Sequence, residues 1–360
     1  MLKIFLTPFW CSGPLLLGSS LILHQKKSTY EQFSNYGCKL IGEENMHKLG
    51  IFLLKQPYWF RSLCGLVSYQ KKINLNVGLA AGFDKQAECI EGLFDIGFDR
   101  IECGSVTCFP QLGNIKDKKK CFRLEEDHAI INRYGIPSDG METIYQRLLL
   151  FQSTKKKKHK EKIIGININP LCDNINDQYF YKQVKKISQV VDYITINGSC
   201  PNLSSLTLQE NPDLIFTLFQ RLSSVSTKPI FLKLSSDLQL SQKLITCLET
   251  CKKENYLHGV IIGNSVKQWR PSLNTSLGLK SKYRHETGGL SGKPIRDLST
   301  EKIRQFKYLT GGRIPIIGCG GIFTKEDVKD KMKAGATSVQ LYTSFVFGGK
   351  NLLERLKEME

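Results

Sequence analysis

From residue 77 onward one unit recurs: a short apolar run that ends on glycine or a polar residue, then a stretch of helical spacing. The runs are Val77–Ala81, Arg100–Cys103, Ile163–Ile168, Tyr193–Asn197, Ile230–Leu234, Val260–Gly263, Ile314–Gly318 and Ser338–Tyr342. Near-continuous apolarity marks strands buried on both faces, as in parallel sheets. Eight strand–helix units predict an α/β fold of the (β/α)8 TIM-barrel type, for which about 250 residues are typical. A doubly wound open sheet is the rival, but it rarely carries so many units without a GxGxxG fingerprint. The interval from Cys103 to Ile163 is too long for a bare loop, so extra structure is expected beside the barrel mouth.

The N-terminal part follows other rules. Residues 2–23 carry a single charge, Lys3, and reach roughly the 20 residues a membrane helix needs. A cleaved targeting peptide, a membrane anchor and a buried segment all fit; Pro8 and Pro14 weaken the helix, and the anchor is favoured. Between 28 and 66, Met46, Leu49, Phe52 and Leu53 recur at helical spacing, Tyr30, Phe33, Leu40 and Ile41 more loosely, and Gly42-Glu43-Glu44 divides them. This predicts a helical hairpin, followed by the aromatics Tyr58, Trp59 and Phe60. One reading packs a helix face on the main domain. The other makes the hairpin a membrane-facing cap, which the preceding segment favours. The organisation expected is 1–27 targeting segment or anchor, 28–66 cap, and 67–360 barrel.

The chain has 51 Lys+Arg against 33 Asp+Glu, a formal net charge of +18. Much of the excess lies in two tracts, Lys116 to Lys120 and Lys155 to Lys162, which read as solvated loop tips. Twelve cysteines form no CxxC pair or zinc-spaced cluster, so no metal is expected. Several lie inside apolar runs and read as small buried hydrophobes of a reducing compartment.

In a barrel, chemistry sits at the C-terminal strand ends. Those ends carry Lys85, Ser105 and Thr107, Asn167, then Asn197, Ser199, Cys200 and Asn202, then Lys233, then Asn264 and Ser265. Burying so many polar groups around one point without a ligand is costly. A polar, ring-shaped ligand with many hydrogen-bonding edges is therefore expected. Gly318, Gly320 and Gly321, with Tyr342-Thr343 on the next strand, place bare backbone amides where barrels commonly hold phosphate. Lys233, inside the apolar run PIFLKL, needs an anionic partner. A reduced flavin ring would supply one; a neighbouring carboxylate is the other candidate.

The motifs GLAAGFDK, ECGSVT, FRLEEDHAIINRYGIPSDG, NGSCPN, ETGGLSGKPIRDLS, PIIGCGGI and AGATSVQLYT, in this order from about residue 28 to the C-terminus, resemble dihydroorotate dehydrogenase. The membrane-associated, quinone-dependent class is the most similar. The resemblance implies an FMN barrel that oxidises dihydroorotate to orotate in pyrimidine synthesis and passes electrons to ubiquinone at the mitochondrial inner membrane. It implies that Ala80, Ala81, Gly82, Lys85, Ser105, Asn132, Asn167, Asn197, Lys233 and Gly263 meet FMN. Ser291-Gly292, Gly320-Gly321 and Tyr342-Thr343 would hold the phosphate end. Lys85, Asn132, Asn197, Asn202, Asn264 and Ser265 would bind the pyrimidine. Arg123 would stand near a quinone tunnel walled by the hairpin.

By the same resemblance Cys200 is the base that takes the C5 proton while hydride leaves C6, and Lys233 stabilises negative charge on the flavin. A free thiol titrates near about 8.5, and a neighbouring lysine could lower that. The membrane-associated class usually has Ser where Cys200 stands, and Gly-Lys where this chain reads Ile168-Asn169. Gly263 replaces a usual Thr, and Ile136 a usual Phe. Two other readings stay open. One is an FMN enzyme reducing uridine in transfer RNA, for which NGSCPN and the +18 charge speak. Against it, the basic residues cluster in loops and no RNA-binding domain follows the barrel, so no nucleic-acid partner is expected. The other is a catalytically weakened FMN-binding relative.

Overall fold

The computed structural model describes residues 29–64, 66, 77–154, 156–170, 177–199, 208–266 and 278–357. Eight parallel strands close a barrel in the order β1-β11-β10-β8-β7-β6-β5-β2. They are β1 (Val77–Leu79), β2 (Arg100–Val106), β5 (Ile163–Ile168), β6 (Tyr193–Asn197), β7 (Ile230–Leu234), β8 (Gly259–Ile262), β10 (Ile316–Cys319) and β11 (Ser338–Leu341). Every expected run supplies one barrel strand, so the TIM-barrel reading holds and the open sheet is excluded. The ends shift slightly. β1 stops at Leu79 rather than Ala81, and β11 at Leu341 rather than Tyr342, because the chain there turns over the mouth. β10 begins at Ile316, after Pro315, which has no N–H for the ladder.

Alternate residues of each strand face outward against the helices: Ile101 and Cys103, Ile164 and Ile166, Ile194 and Ile196, Leu232, and Val260 are all fully buried there. The inward residues differ around the ring. Ala80, Ile261, Ile317 and Cys319 form one apolar cluster. Glu102, Asn167, Thr195 and Gln340 are inward by the same alternation, and all are buried. At the barrel floor Gly165 makes room for the Tyr193 ring, whose Cζ would lie 2.1 Å from any added Cβ.

The long interval after β2 holds β3 (Cys121–Leu124), β4 (Ala129–Asn132) and α5 (Gly140–Thr154). β3 and β4 pair antiparallel, and β4 pairs with β9 (Gly289–Gly292), giving a three-stranded sheet beside the mouth. Three later helices frame the β10–β11 side: α9 (Arg296–Leu309), α10 (Lys325–Ala334) and α11 (Thr343–Lys357). A capping box at Thr324 and Asp327 starts α10, satisfying amides that a helix start leaves open.

The hairpin is present as α1 (Thr29–Ile41) and α2 (Glu43–Lys55), broken at Gly42 with φ +82°, and followed by α3 (Tyr58–Leu63). One face packs on the main domain. Arg61 of α3 is buried and paired with Asp95 and, at 3.1 Å, with Glu91, both of α4 (Ile90–Asp95). Glu43 takes Lys119 at 2.9 Å, and Glu44 accepts the Lys120 amide at 2.8 Å. The other face leaves Tyr36, Leu40, Phe52, Trp59 and Leu63 exposed. Among the described residues no helix is long and apolar enough to cross a membrane; the 1–27 segment lies outside them.

The lysine tracts are less free than loop tips. Lys119 joins Glu43, Lys158 lies 3.0 Å from Asp95, and Lys162 pairs with Asp99. Carboxylates on neighbouring elements are what sequence runs cannot show. The nine cysteines among the described residues are all free thiols, and no metal-holding cluster occurs among those residues.

Candidate active site

One cavity opens at the C-terminal strand ends, with about 1070 Å³ of empty space, part of it open to solvent. Around the β1–β8 arc its wall is Ala80, Ala81, Gly82, Lys85, Ser105, Asn197, Lys233, Gly263, Asn264 and Ser265, joined by Asn132 from β4 of the side sheet. At the other side stand Ser291, Gly292, Gly320, Gly321, Tyr342 and Thr343. Residues spread over more than 260 positions in sequence thus meet at one mouth.

Lys233 is 4% exposed, and its ammonium makes no hydrogen bond or ion pair among the described residues. The carboxylate alternative for this lysine therefore has no support there. A buried ammonium without a counter-charge is unfavourable, and its place on the wall offers it to an anionic ligand edge. Lys85 is half-buried; its Nζ donates to the Gly82 carbonyl and lies 4.5 Å from the centre of the Tyr134 ring. Burial pushes its pKa down to about 8, against the pull of Cys121, Asp84 and Glu44.

The polar wall is one hydrogen-bonded relay. The β2–β5 ladder slips between Gly104 and Val106, and this irregularity sets Ser105 apart from the regular pairing. Ser105 Oγ donates to Asn167 Oδ1 and accepts from Asn197 Nδ2 at 3.0 Å. Asn264 Nδ2 donates to Asn197 Oδ1 at 3.3 Å and to Ser199 Oγ at 3.0 Å. Asn167 Nδ2 in turn donates to Glu102 Oε1 at 2.8 Å. Glu102 is wholly buried and also accepts from Tyr193 OH, Thr195 Oγ1 and Gln340 Nε2 at 3.1, 3.1 and 2.9 Å.

Two of the expected site residues are not on the cavity wall. Asn167 is wholly buried one layer behind the wall, its amide taken up by Ser105 and Glu102. Arg123 lies under the hairpin, the side on which the resemblance put it: Nη2 donates to Asn35 Oδ1 at 2.6 Å, and the guanidinium stacks 3.7 Å over the Phe347 ring. It joins α1 to α11. Cys200 and Asn202 lie outside the described residues. The sequence reading missed Glu102, Gln340 and Tyr134. A charged residue at an inward position of the run RIECGSV was a signal of the same kind that singled out Lys233.

At the β10–β11 side the wall is mostly backbone. Gly320 and Gly321 have φ of +107° and +72°, and a Cβ on Gly321 would lie 2.4 Å from Arg296 Cα. Thr343 Oγ1 donates to Ser291 Oγ at 2.9 Å, joining the start of α11 to β9.

A family model described as Dihydroorotate dehydrogenase matches residues 68–359. The chain belongs to the dihydroorotate dehydrogenase family. It is 34% identical to the mouse mitochondrial dihydroorotate dehydrogenase (quinone) over 89% of this chain and 82% of that one. It is 38% identical to the dihydroorotate dehydrogenase (quinone) of Christiangramia forsetii, over 89% of each. A crystal structure of the Eimeria tenella enzyme with ferulenol superimposes with a TM-score of 0.75 at 29% identity, covering 90% of this chain and 92% of that one. Dihydroorotate dehydrogenases are flavoenzymes, and the transfer-RNA reading gives way to this family. An uncompensated cation on a polar wall at one side, and an amide-lined glycine turn at the other, fit a flavin ring and its phosphate tail.

Proposed function

We propose that this chain oxidises dihydroorotate to orotate with FMN and passes the electrons to ubiquinone, a step of de novo pyrimidine biosynthesis. The observation that carries the reading is Lys233: a buried ammonium with no partner among the described residues, on the wall of a cavity ringed by asparagines and serines. FMN, when bound, supplies the hydride acceptor. Ala80 to Gly82, Ser105, Lys233 and Gly263 would hold its ring, and Ser291-Gly292, Gly320-Gly321 and Tyr342-Thr343 its phosphate.

The rest is the work of side chains. Lys85 meets the substrate carboxylate. Asn132, Asn197, Asn202, Asn264 and Ser265 hydrogen-bond the pyrimidine, and the relay through Ser105 fixes which edge of Asn197 donates. The Lys233 ammonium stabilises negative charge as it develops, without reorganising. The Cys200 thiolate takes the C5 proton. Only a small fraction of an ordinary thiol is thiolate at neutral pH, so a nearby lysine that lowers its pKa would raise the rate.

The exposed apolar face of α1 to α3 serves as the membrane-facing cap, with Arg123 beneath it on the quinone route and residues 1–27 as the anchor. We place the chain at the mitochondrial inner membrane; the mouse and rice relatives are named mitochondrial, and bacterial relatives share the quinone name at similar identity. Import assays with the 1–27 segment decide it.

Anaerobic addition of dihydroorotate should bleach the flavin absorbance, and a ubiquinone analogue should restore it. A flavin that stays oxidised with dihydroorotate overturns the reading. Cys200→Ala should slow the bleaching by about 100-fold or more, the usual scale of a lost general base, with orotate affinity nearly unchanged. Undiminished bleaching removes Cys200 from the base role.

A further inference from the structure

The molecule holds a second buried lysine, used nowhere above. Lys331 of α10 is wholly buried, behind the Gly320–Gly321 turn. Its Nζ donates to Arg296 O at 2.8 Å, to Thr300 Oγ1 at 2.7 Å and to Ser299 Oγ. Three donors thus find three oxygens, and none belongs to a carboxylate. The acids nearby are otherwise engaged. Asp297 pairs with Arg296 at 2.8 Å. Asp327 accepts the Phe323 and Thr324 amides at 2.8 and 2.9 Å and lies 3.4 Å from Arg296.

The direction of the bonds matters. Lys331 fills one acceptor site of Ser299 and also takes the Arg296 carbonyl. Ser299 Oγ lies 3.0 Å from both Arg296 O and Gly320 O; the two lone pairs of Arg296 O are met by Lys331 and by Thr300 Oγ1 at 2.9 Å, which leaves the single Ser299 proton for Gly320 O. Gly320 and Gly321 both line the cavity. The Lys331 ammonium, whose nearby carboxylates Asp297 and Asp327 are held by Arg296 instead, is therefore fixed behind the turn and is linked to it by one hydroxyl. An uncompensated buried cation is unfavourable unless an anion comes close.

We propose that Lys331 is the positioning residue for the cofactor's phosphate: through Ser299 it sets the Gly320–Gly321 turn, and its charge selects a dianionic phosphate ester over the neutral, unphosphorylated flavin. The proposal rests on the reading that this turn holds the FMN phosphate. Burial lowers the Lys331 pKa to about 8, so the selecting charge can be titrated. The groups facing it are Arg296 and Asp297 from α9, Cys319 from β10 and Asp327 from its own helix. Burial raises the Cys319 pKa above the ordinary thiol value, so that thiol stays neutral as Lys331 titrates.

The test titrates deflavinated full-length chain with FMN and with riboflavin, read by flavin fluorescence. Wild type should prefer FMN by about 100-fold or more, and Lys331→Met should cut that ratio about tenfold with riboflavin affinity nearly unchanged. A merely structural lysine would weaken both flavins alike, so an unchanged ratio overturns the proposal. A wild-type ratio near one overturns it too, and with it the placement of the phosphate. Should the variant fail to fold, wild type alone decides. Its ratio should fall between about pH 7 and about pH 9, where the FMN phosphate stays dianionic. A flat ratio overturns the role of Lys331. Lys85 titrates in the same range on the other side of the cavity, and acts on both flavins equally.

Discussion

The two sides of the cavity solve the same problem, binding an anionic ligand in a barrel mouth, by opposite means. Around β6, β7 and β8 the wall is side chain: Lys233, Asn197 and Asn264, each aimed by a partner or left open to the ligand. Around β10 and β11 the wall is backbone, with Gly320 and Gly321 bent so that no Cβ intrudes, and the charge is withdrawn to Lys331 behind it. A reacting ring needs groups that can be placed atom by atom, whereas a phosphate needs several amides and a field. Side chains give the first and a glycine turn the second.

The largest effect should come from removing the open charge. Lys233→Met keeps the volume and deletes the ammonium. Flavin reduction by dihydroorotate should fall by about 1000-fold, the upper range for a single electrostatic stabiliser, with folding intact. Stopped-flow bleaching measures it, and a loss of less than about tenfold would mean the charge belongs to structure instead.

The backbone side should fail differently. Gly321→Ala places a methyl 2.4 Å from Arg296 Cα at φ +72°, and a non-glycine residue there adds about 1 kcal/mol of strain before any clash. The turn must move. FMN affinity should drop by about 100-fold, near 2.7 kcal/mol, while the rate of bleaching in the fraction that keeps FMN stays close to wild type. A variant with normal FMN affinity would show that the turn does not carry the phosphate.

How much of this was legible beforehand follows the same division. The barrel could be read because strands buried on both faces leave continuous apolar runs, and all eight were found. The wall could be read because a barrel gathers its strand ends, so Lys85, Asn197, Lys233 and Asn264 were named from position alone. What escaped depends on pairing across the fold. The slip at Ser105 exists only in the β2–β5 register. Asn167 looked like a wall residue and lies one layer back because Ser105 intervenes. Glu102 and Gln340 both interrupt apolar strands, but inside the runs rather than at their ends, where only the pairing across the barrel shows that they meet. The lysine tracts looked solvated because Glu43, Asp95 and Asp99 reach them only in three dimensions.

A pH series probes the side-chain side through Lys85. Burial lowers the Lys85 pKa to about 8 from 10.5. The free enzyme therefore loses this charge above about pH 8, and orotate affinity should fall towards tenfold per pH unit beyond it. Stability moves the other way. Between about pH 8 and 10.5 the unfolded chain holds the extra proton, so unfolding becomes harder as pH rises through that window. Lys85→Met should flatten the orotate profile. A wild-type profile flat to high pH would remove Lys85 from the carboxylate contact.

The smallest change in turnover should come from the deepest residue, and it bears most directly on whether the two sides are independent. Glu102 accepts from Asn167, Tyr193, Thr195 and Gln340. All four of these partners donate to it, so it fixes the direction of every bond up to Asn197 and Asn264. Glu102→Gln keeps the shape but turns a donor on at least one of those four partners. An unmet buried donor costs about 1–3 kcal/mol, so the melting temperature should drop. Asn167 is then free to flip, Ser105 loses its fixed sense, and orotate affinity should weaken about fivefold, near 1 kcal/mol. The preference for FMN over riboflavin should not move, since no bond of this relay reaches Gly320, Gly321 or Lys331. If that preference falls together with orotate affinity, the cavity is one coupled network, and the contrast between its side-chain wall and its backbone wall is lost.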